Sequence, residues 1–156
     1  MFLLLLSVFS NPALGGNHIN IEQYKEPYHK WQSPPTILVC NDNNFSIDNI
    51  KKAKSEWESV GKRFGKIVHE KDSYVKCSTE FIDGYLQIQG KRIELRSDEW
   101  AVTTRSFSDA TRTIYAAIIE SDPGTKNRYD TVLHEFGHVF GYKHNKIPGD
   151  ILYTRY

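Results

Sequence analysis

The sequence has little net charge, no long apolar run and no internal repeat. Its 156 residues carry 20 Lys and Arg against 19 Asp and Glu, which gives a formal net charge of +1. This balance argues against a chain that binds nucleic acid through electrostatics. A hydrophobic content of 39% argues against general disorder. No apolar stretch reaches the roughly 20 residues that cross a bilayer, so no membrane span is predicted.

The first sixteen residues predict a signal peptide. Residues 1–16 contain no charge, and they carry an apolar run that begins at Phe2. Ala13 and Gly15 then supply the small side chains that suit signal-peptidase cleavage. We therefore expect a secreted, extracellular protein in which residues 17–156 form a single domain. The alternative for the apolar run is a buried N-terminal strand.

Cysteine is scarce, with Cys40 and Cys77 as the two in the chain. In an oxidising compartment two cysteines most simply form one disulfide, and this is the predicted state. The alternative is a pair of buried free thiols. Methionine is scarcer still, since Met1 is the single one.

The most informative segment runs from His134 to His144 and reads His-Glu-Phe-Gly-His-Val-Phe-Gly-Tyr-Lys-His. A helix advances about 100° per residue, so His134 and His138 project from one face, roughly 40° apart. Both imidazoles can therefore reach a single metal ion. Glu135 points about 100° away from His134, where a carboxylate can take a proton from a water that the metal activates.

The third imidazole needs a turn before it can join the other two. Gly141 provides one, because glycine at a helix C-terminus adopts the left-handed conformation that ends the helix. His144 can then return to the metal. Three neutral histidines leave one position of a tetrahedral zinc ion open, which is the pattern of a catalytic site. The alternative is a set of surface histidines on an amphipathic helix.

This extended motif resembles that of the metzincin clan of zinc endopeptidases, and most closely its matrixin branch. In matrixins a methionine eight residues after the third histidine forms a turn beneath the zinc, and a tyrosine follows. Here Leu152 occupies the methionine position and Tyr153 follows it. The resemblance implies zinc held by His134, His138 and His144, and it implies a shortened C-terminal subdomain.

The remaining pattern predicts one helix and several strands before the motif. A helix with its N-cap at Ser46 is indicated by apolar residues at spacings of three and four, namely Ile50, Ala53, Trp57, Val60 and Phe64. Strands are predicted at Thr36–Cys40, Lys66–His69, Gly84–Gln89, Arg92–Leu95, Trp100–Ser106 and Thr113–Glu120. The helix of the motif is expected to begin near Asn127.

This order predicts an α+β fold that is metzincin-like, with a small, mostly antiparallel or mixed twisted sheet and two long helices. The active-site helix lies near the C-terminus. The resemblance also implies that the strand Ile114–Glu120 forms the edge of the cleft, where a peptide or protein substrate pairs as an added strand. We expect a monomer that takes no nucleic-acid partner. Calcium is not predicted, because the sequence has no dense loop of oxygen ligands.

The function predicted from the sequence is that of a secreted zinc endopeptidase. Zinc is the expected cofactor, and Glu135 is the expected general base for the attack of water on a peptide bond. The alternative is a zinc-binding module that has lost catalysis and acts in adhesion or inhibition. Leu152 in the methionine position supports that alternative.

Overall fold

The computed structural model describes residues 18–92, 94–95 and 99–154. Within these ranges the chain forms six β-strands and two α-helices. The strands are β1 Lys30–Trp31, β2 Thr36–Val39, β3 Ile67–His69, β4 Tyr85–Gly90, β5 Ala101–Ser108 and β6 Thr113–Ser121. The helices are α1 Ile47–Ser59 and α2 Tyr129–Val139. Neither helix has the length and apolar character needed to cross a membrane. The predicted signal peptide, residues 1–16, lies outside the described residues.

All six strands belong to one sheet. Its order is β1-β6-β4-β2-β3, and β5 pairs with β6 in addition. Four pairings are parallel: β1 with β6, β2 with β3, β2 with β4, and β4 with β6. The pairing of β5 with β6 is antiparallel. The sheet is therefore mostly parallel, and the fold is α/β.

The predicted α+β fold, with a small, mostly antiparallel or mixed sheet, is wrong. The order of strands along the chain does not say which strands become neighbours. Here β2 lies between the later strands β3 and β4, and parallel neighbours of this kind need crossover connections such as α1. The sequence Leu86-Gln87-Ile88-Gln89 alternates apolar and polar residues, which is typical of a strand with one solvent-exposed face. All four side chains are nevertheless buried.

Five predicted strands overlap strands of the structure, and these predictions are confirmed. They are Thr36–Cys40, Lys66–His69, Gly84–Gln89, Trp100–Ser106 and Thr113–Glu120, which correspond to β2 to β6. The prediction of a strand at Arg92–Leu95 is wrong, because Arg92, Glu94 and Leu95 have no strand structure. Ile93 lies outside the described residues.

The predicted cleft edge also needs correction. β6 is flanked by β5 on one side, while β4 and β1 pair with it as well, so Ile114–Glu120 is an interior strand. Antiparallel pairing across the short turn after β5 places β5 outside β6. The sheet edge beside α2 is therefore β5, and no described strand pairs with its outer side.

The two helices pack against each other and share the core with the sheet. Ser46 caps α1 as predicted, since its Oγ accepts a hydrogen bond from the Asn49 N–H at 3.2 Å. Ile50, Ala53 and Trp57 are fully buried along the predicted apolar stripe. The Trp57 indole N–H donates a hydrogen bond to the Leu133 carbonyl at 2.8 Å. The contact between the two helices therefore includes a hydrogen bond as well as apolar packing.

One disulfide joins Cys40 to Cys77, as the sequence predicts. The same region is held by Glu70, whose carboxylate accepts hydrogen bonds from the N–H groups of Asn41 at 2.8 Å and Cys77 at 3.1 Å. The disulfide thus connects the end of β2 to the long loop between β3 and β4 and limits the freedom of that loop.

We expect the double substitution Cys40→Ala, Cys77→Ala to lower the free energy of unfolding by about 3–4 kcal/mol, because the bond closes a loop with a sequence separation of 37. Urea denaturation at neutral pH measures this. Reductant should bring the natural protein to the stability of the variant and should leave the variant unchanged. Alkylation of both thiols in unreduced protein would contradict the prediction.

Candidate metal centre

Three imidazole nitrogens converge at the C-terminal part of α2. The Nε2 atoms of His134 and His138 are 3.0 Å apart, and the Nε2 of His144 lies 3.0 Å from the first and 3.1 Å from the second. Donor atoms roughly 2.0–2.1 Å from a tetrahedral zinc ion lie roughly 3.3 Å from one another. The three predicted histidines are therefore brought together at a spacing that fits one zinc ion.

The chain reverses at Gly141, as the sequence predicts. Gly141 has φ 95°, and its N–H donates to the His138 carbonyl at 3.0 Å, which ends α2. A Cβ at this position would lie 2.9 Å from both Arg105 Nη1 and Pro27 Cβ. Glycine is thus required twice, for the left-handed backbone and for the close approach of neighbouring segments.

The second nitrogen of two rings is held by a backbone carbonyl. His134 Nδ1 lies 2.7 Å from the Ile151 carbonyl oxygen, and His138 Nδ1 lies 2.7 Å from that of Tyr142. A carbonyl oxygen only accepts, so each Nδ1 carries the proton. The lone pair of each Nε2 then faces the cluster, which is the arrangement that metal-binding histidines use.

The environment keeps the three imidazoles neutral. The pKa of His138 is lowered from 6.5 to about 3, chiefly by burial and in part by the charges of His134, His144 and Arg105. Burial is also the main cause that lowers the pKa of His134 and of His144. Metal ligation requires neutral imidazole, so the site is in the binding state at neutral pH.

The Glu135 side chain, next to His134 in the sequence, is buried and forms a hydrogen bond with one side chain, that of Thr103. The Thr103 hydroxyl, from β5, donates to Glu135 Oε2 and lies 3.2 Å from the Glu135 backbone carbonyl. The pKa of Glu135 is raised from 4.5 to about 7, because the effect of burial outweighs that of the hydrogen bond from Thr103, which lowers the pKa. A carboxyl group with such a pKa can both accept and return a proton near neutral pH.

The turn after His144 packs against α2. Leu152 is fully buried, and a Cβ added to Gly137 would lie 2.8 Å from Leu152 Cδ2 and 2.9 Å from Trp57 Cζ2. Leu152 therefore packs directly on the helix backbone between the two histidines. An apolar side chain of this volume fills the space beside the Gly137 backbone.

The Asp150 carboxylate joins this turn to the N-terminal segment, and sequence reasoning missed it. Oδ2 accepts from the Asn20 backbone N–H at 3.0 Å, the Asn20 side chain at 2.9 Å and the Tyr24 hydroxyl at 2.7 Å. Oδ1 accepts from Asn145 Nδ2 and from the Leu152 N–H, each at 2.8 Å. Asn20 and Tyr24 lie 130 and 126 positions from Asp150 in the sequence, so no local pattern signals these contacts.

Thr103 and Arg105 were also missed as site residues. Both belong to the predicted strand Trp100–Ser106, and residues two apart share one face of a strand. The sequence does not say that this face meets α2. Cys40, Glu70 and Cys77 form a second group of potential metal ligands. The two sulfur atoms of this group form the disulfide and therefore offer no thiolate to a metal.

We expect purified protein to bind one zinc ion through three ring nitrogens at roughly 2.0–2.1 Å. Each of His134→Ala, His138→Ala and His144→Ala should remove most of the bound metal, because two histidines alone form a weak site. Elemental analysis after dialysis and X-ray absorption provide the measurements. His69→Ala, in β3, serves as the control and should bind zinc normally. Full zinc occupancy in His144→Ala would contradict the three-histidine site.

We expect Asp150→Asn to lower the free energy of unfolding by about 3 kcal/mol at pH 7, because an amide cannot accept all five hydrogen bonds. Burial raises the pKa of Asp150, but hydrogen bonds from Tyr24, Asn145, Leu152 and Asn20 outweigh it and hold the pKa below 3.8. The ionised form is therefore the one that stabilises the fold.

The stability difference between Asp150→Asn and the natural protein should be complete above pH 3.8 and shrink as the pH falls through the lower pKa of the folded state. Denaturation series at pH 7 and near pH 3 measure it. Asp83→Asn changes an exposed carboxylate and is the control. An equal difference at both pH values would show that charge at Asp150 is unimportant.

Comparison with known proteins found no family model, no curated protein and no solved structure that matches this chain. The candidate site therefore rests on its own residues and geometry.

Proposed function

We propose that this chain is a zinc-dependent endopeptidase. The observation that carries the proposal is the convergence of three neutral imidazole Nε2 atoms, 3.0–3.1 Å apart, next to a buried carboxyl group with a raised pKa. The motif's resemblance to metzincin endopeptidases supports the proposal through these residues alone. A zinc ion held by the three histidines would supply Lewis acidity that activates water and polarises a carbonyl group.

Glu135 performs the proton transfers. Its carboxylate accepts the proton of the attacking water and then delivers it to the departing amine. Thr103 holds Oε2 by a hydrogen bond, which leaves Oε1 for the moving proton. Burial excludes bulk water from the carboxyl group.

The outer edge of β5 is the proposed binding edge for an extended peptide. The Asp122 N–H donates to the Trp100 carbonyl at 2.9 Å, so the backbone groups of Trp100 face β6. Backbone direction alternates along an antiparallel strand, and Ala101, Thr103 and Arg105 therefore direct their N–H and C=O groups outward. A peptide can pair with these groups as an added strand. Thr103, which contacts Glu135, places this edge next to the proposed base.

Secretion is part of the same proposal. The disulfide between Cys40 and Cys77 supports it, since disulfides persist in oxidising compartments. The enzyme then acts on extracellular peptides or proteins.

We expect Glu135→Gln to keep zinc and fold while hydrolysis falls by about 10²–10⁴, because the amide removes the proton acceptor and preserves its shape. Cleavage of a casein-type substrate, with and without a zinc chelator, is the assay, and zinc content is measured in parallel. His69→Ala is the activity control.

Two results would contradict the proposal. Undiminished turnover in Glu135→Gln would require a different base. Natural protein with a full complement of zinc and no hydrolysis of any peptide would favour the non-catalytic zinc-binding module instead.

A further inference from the structure

Arg105 lies at the metal centre without a described partner. Its side chain leaves β5 on the same face as that of Thr103, since the two residues are two positions apart. Thr103 contacts Glu135 in the middle of α2, and Arg105 reaches the end of the helix. Its Nη1 lies 2.9 Å from the position that a Cβ on Gly141 would occupy. The Pro27 Cβ lies 2.9 Å and the His29 carbonyl oxygen 3.2 Å from the same position.

Three other arginines of the described residues have partners. Arg92 forms an ion pair with Asp42 at 3.1 Å, Arg112 lies 4.6 Å from the ring centre of Tyr28, and Arg128 lies 3.7 Å from that of Trp100. Arg105 forms no hydrogen bond, ion pair or ring contact within the described ranges. It is nonetheless partly buried, and that burial lowers the pKa of its guanidinium.

A partly buried guanidinium with five N–H donors and no acceptor is costly. The C-terminal end of α2 offsets some of this cost, because a cation there lies in the negative field of the helix. That field supplies no hydrogen-bond acceptor to the guanidinium. An arginine that served only to complement the helix end would be expected to bond its last carbonyl groups, and Arg105 does not.

Carboxylates match the planar donor pair of a guanidinium in two parallel hydrogen bonds. Opposite charges on directly facing residues of neighbouring strands also attract, since their Cβ atoms lie about 4.5–5.5 Å apart. An extended peptide on the outer edge of β5 has a residue facing Arg105. In antiparallel pairing this residue lies about two positions N-terminal to the one that faces Thr103.

We propose that Arg105 selects the substrate by binding the carboxylate of a Glu or Asp side chain on the N-terminal side of the cleaved bond. This inference rests on the proposed peptidase function and adds the substrate class, namely acidic peptides. The requirement is local. It concerns one side chain about two residues from the bond and not the net charge of the substrate.

The test uses the zinc-loaded, full-length protein and pairs of peptides that differ only by Glu or Gln at each of three positions N-terminal to the cut. The peptides are acetylated and amidated, so the side chain is their single variable carboxylate. At one position the natural protein should cleave the Glu peptide with a kcat/KM about tenfold higher, which is the effect of one charge-assisted contact.

Arg105→Gln should abolish this preference while kcat/KM for the Gln peptide stays within a few-fold. Arg105→Glu should reverse it in favour of Lys at the same position. Arg112→Gln removes an exposed arginine at the turn between β5 and β6 and should keep the preference for Glu. Zinc content and thermal unfolding confirm that each variant is folded and loaded.

Binding of the same peptides, labelled with a fluorophore and measured by anisotropy, separates the two hypotheses. A Glu preference in binding that Arg105→Gln removes would support the anion site even if the protein hydrolyses nothing, in which case only the peptidase proposal fails. Equal use of Glu and Gln peptides by the natural protein, equal loss on both in Arg105→Gln, or no binding of either peptide would overturn the inference.

Discussion

The hydrogen bond between His134 Nδ1 and the Ile151 carbonyl, at 2.7 Å, connects α2 to the turn that follows His144. On the helix side it orients an imidazole toward the other two. On the turn side the same peptide segment is fixed by the Ile151 N–H, which donates to the His18 carbonyl at 2.8 Å. The N-terminal segment, the turn and α2 are therefore joined through Ile151, and a shift in any of them moves the His134 imidazole of the candidate site.

Packing reinforces this connection. Leu152 lies against the backbone of Gly137, and Trp57 from α1 contacts the same point. The helix backbone is approached so closely there that no larger residue fits. Asp150 holds the other side of the turn with five hydrogen bonds, so apolar contact and charge-assisted bonding act on the same short segment. Contacts within the protein thus hold this turn, and with it the His134 imidazole, in place.

Several groups of the candidate site are held in states that reduce the stability of the fold. Histidines with lowered pKa values, a carboxyl group with a pKa of about 7 and a guanidinium with no described partner all lie on α2 or beside its C-terminal end. Each arrangement costs stability in the free protein. Perturbed groups cluster in this way at functional sites, where a ligand or a reaction offsets the cost. A metal ion and an acidic peptide would satisfy them all.

The sequence identified the local parts of this arrangement. The helix from Ser46, five of the strands and the turn at Gly141 follow from periodicity, capping and glycine chemistry, which depend on neighbours within a few residues. The spacing of the three histidines and Glu135 follows from helix geometry for the same reason. Gln87 and Gln89 show where such reasoning fails, since their polarity indicates exposure and they are buried in a parallel strand.

The sequence by itself determined which residues can meet a metal and where most elements begin and end, because those properties are set by local backbone geometry. Only the tertiary structure decided the parallel order of the sheet, the place of β5 at its edge, and the positions of Thr103, Arg105 and Asp150 around the site. Those features depend on contacts between residues that lie up to 130 positions apart, as between Asn20 and Asp150. Pairing over such distances is selected by the packing of the whole chain, and no single segment encodes it.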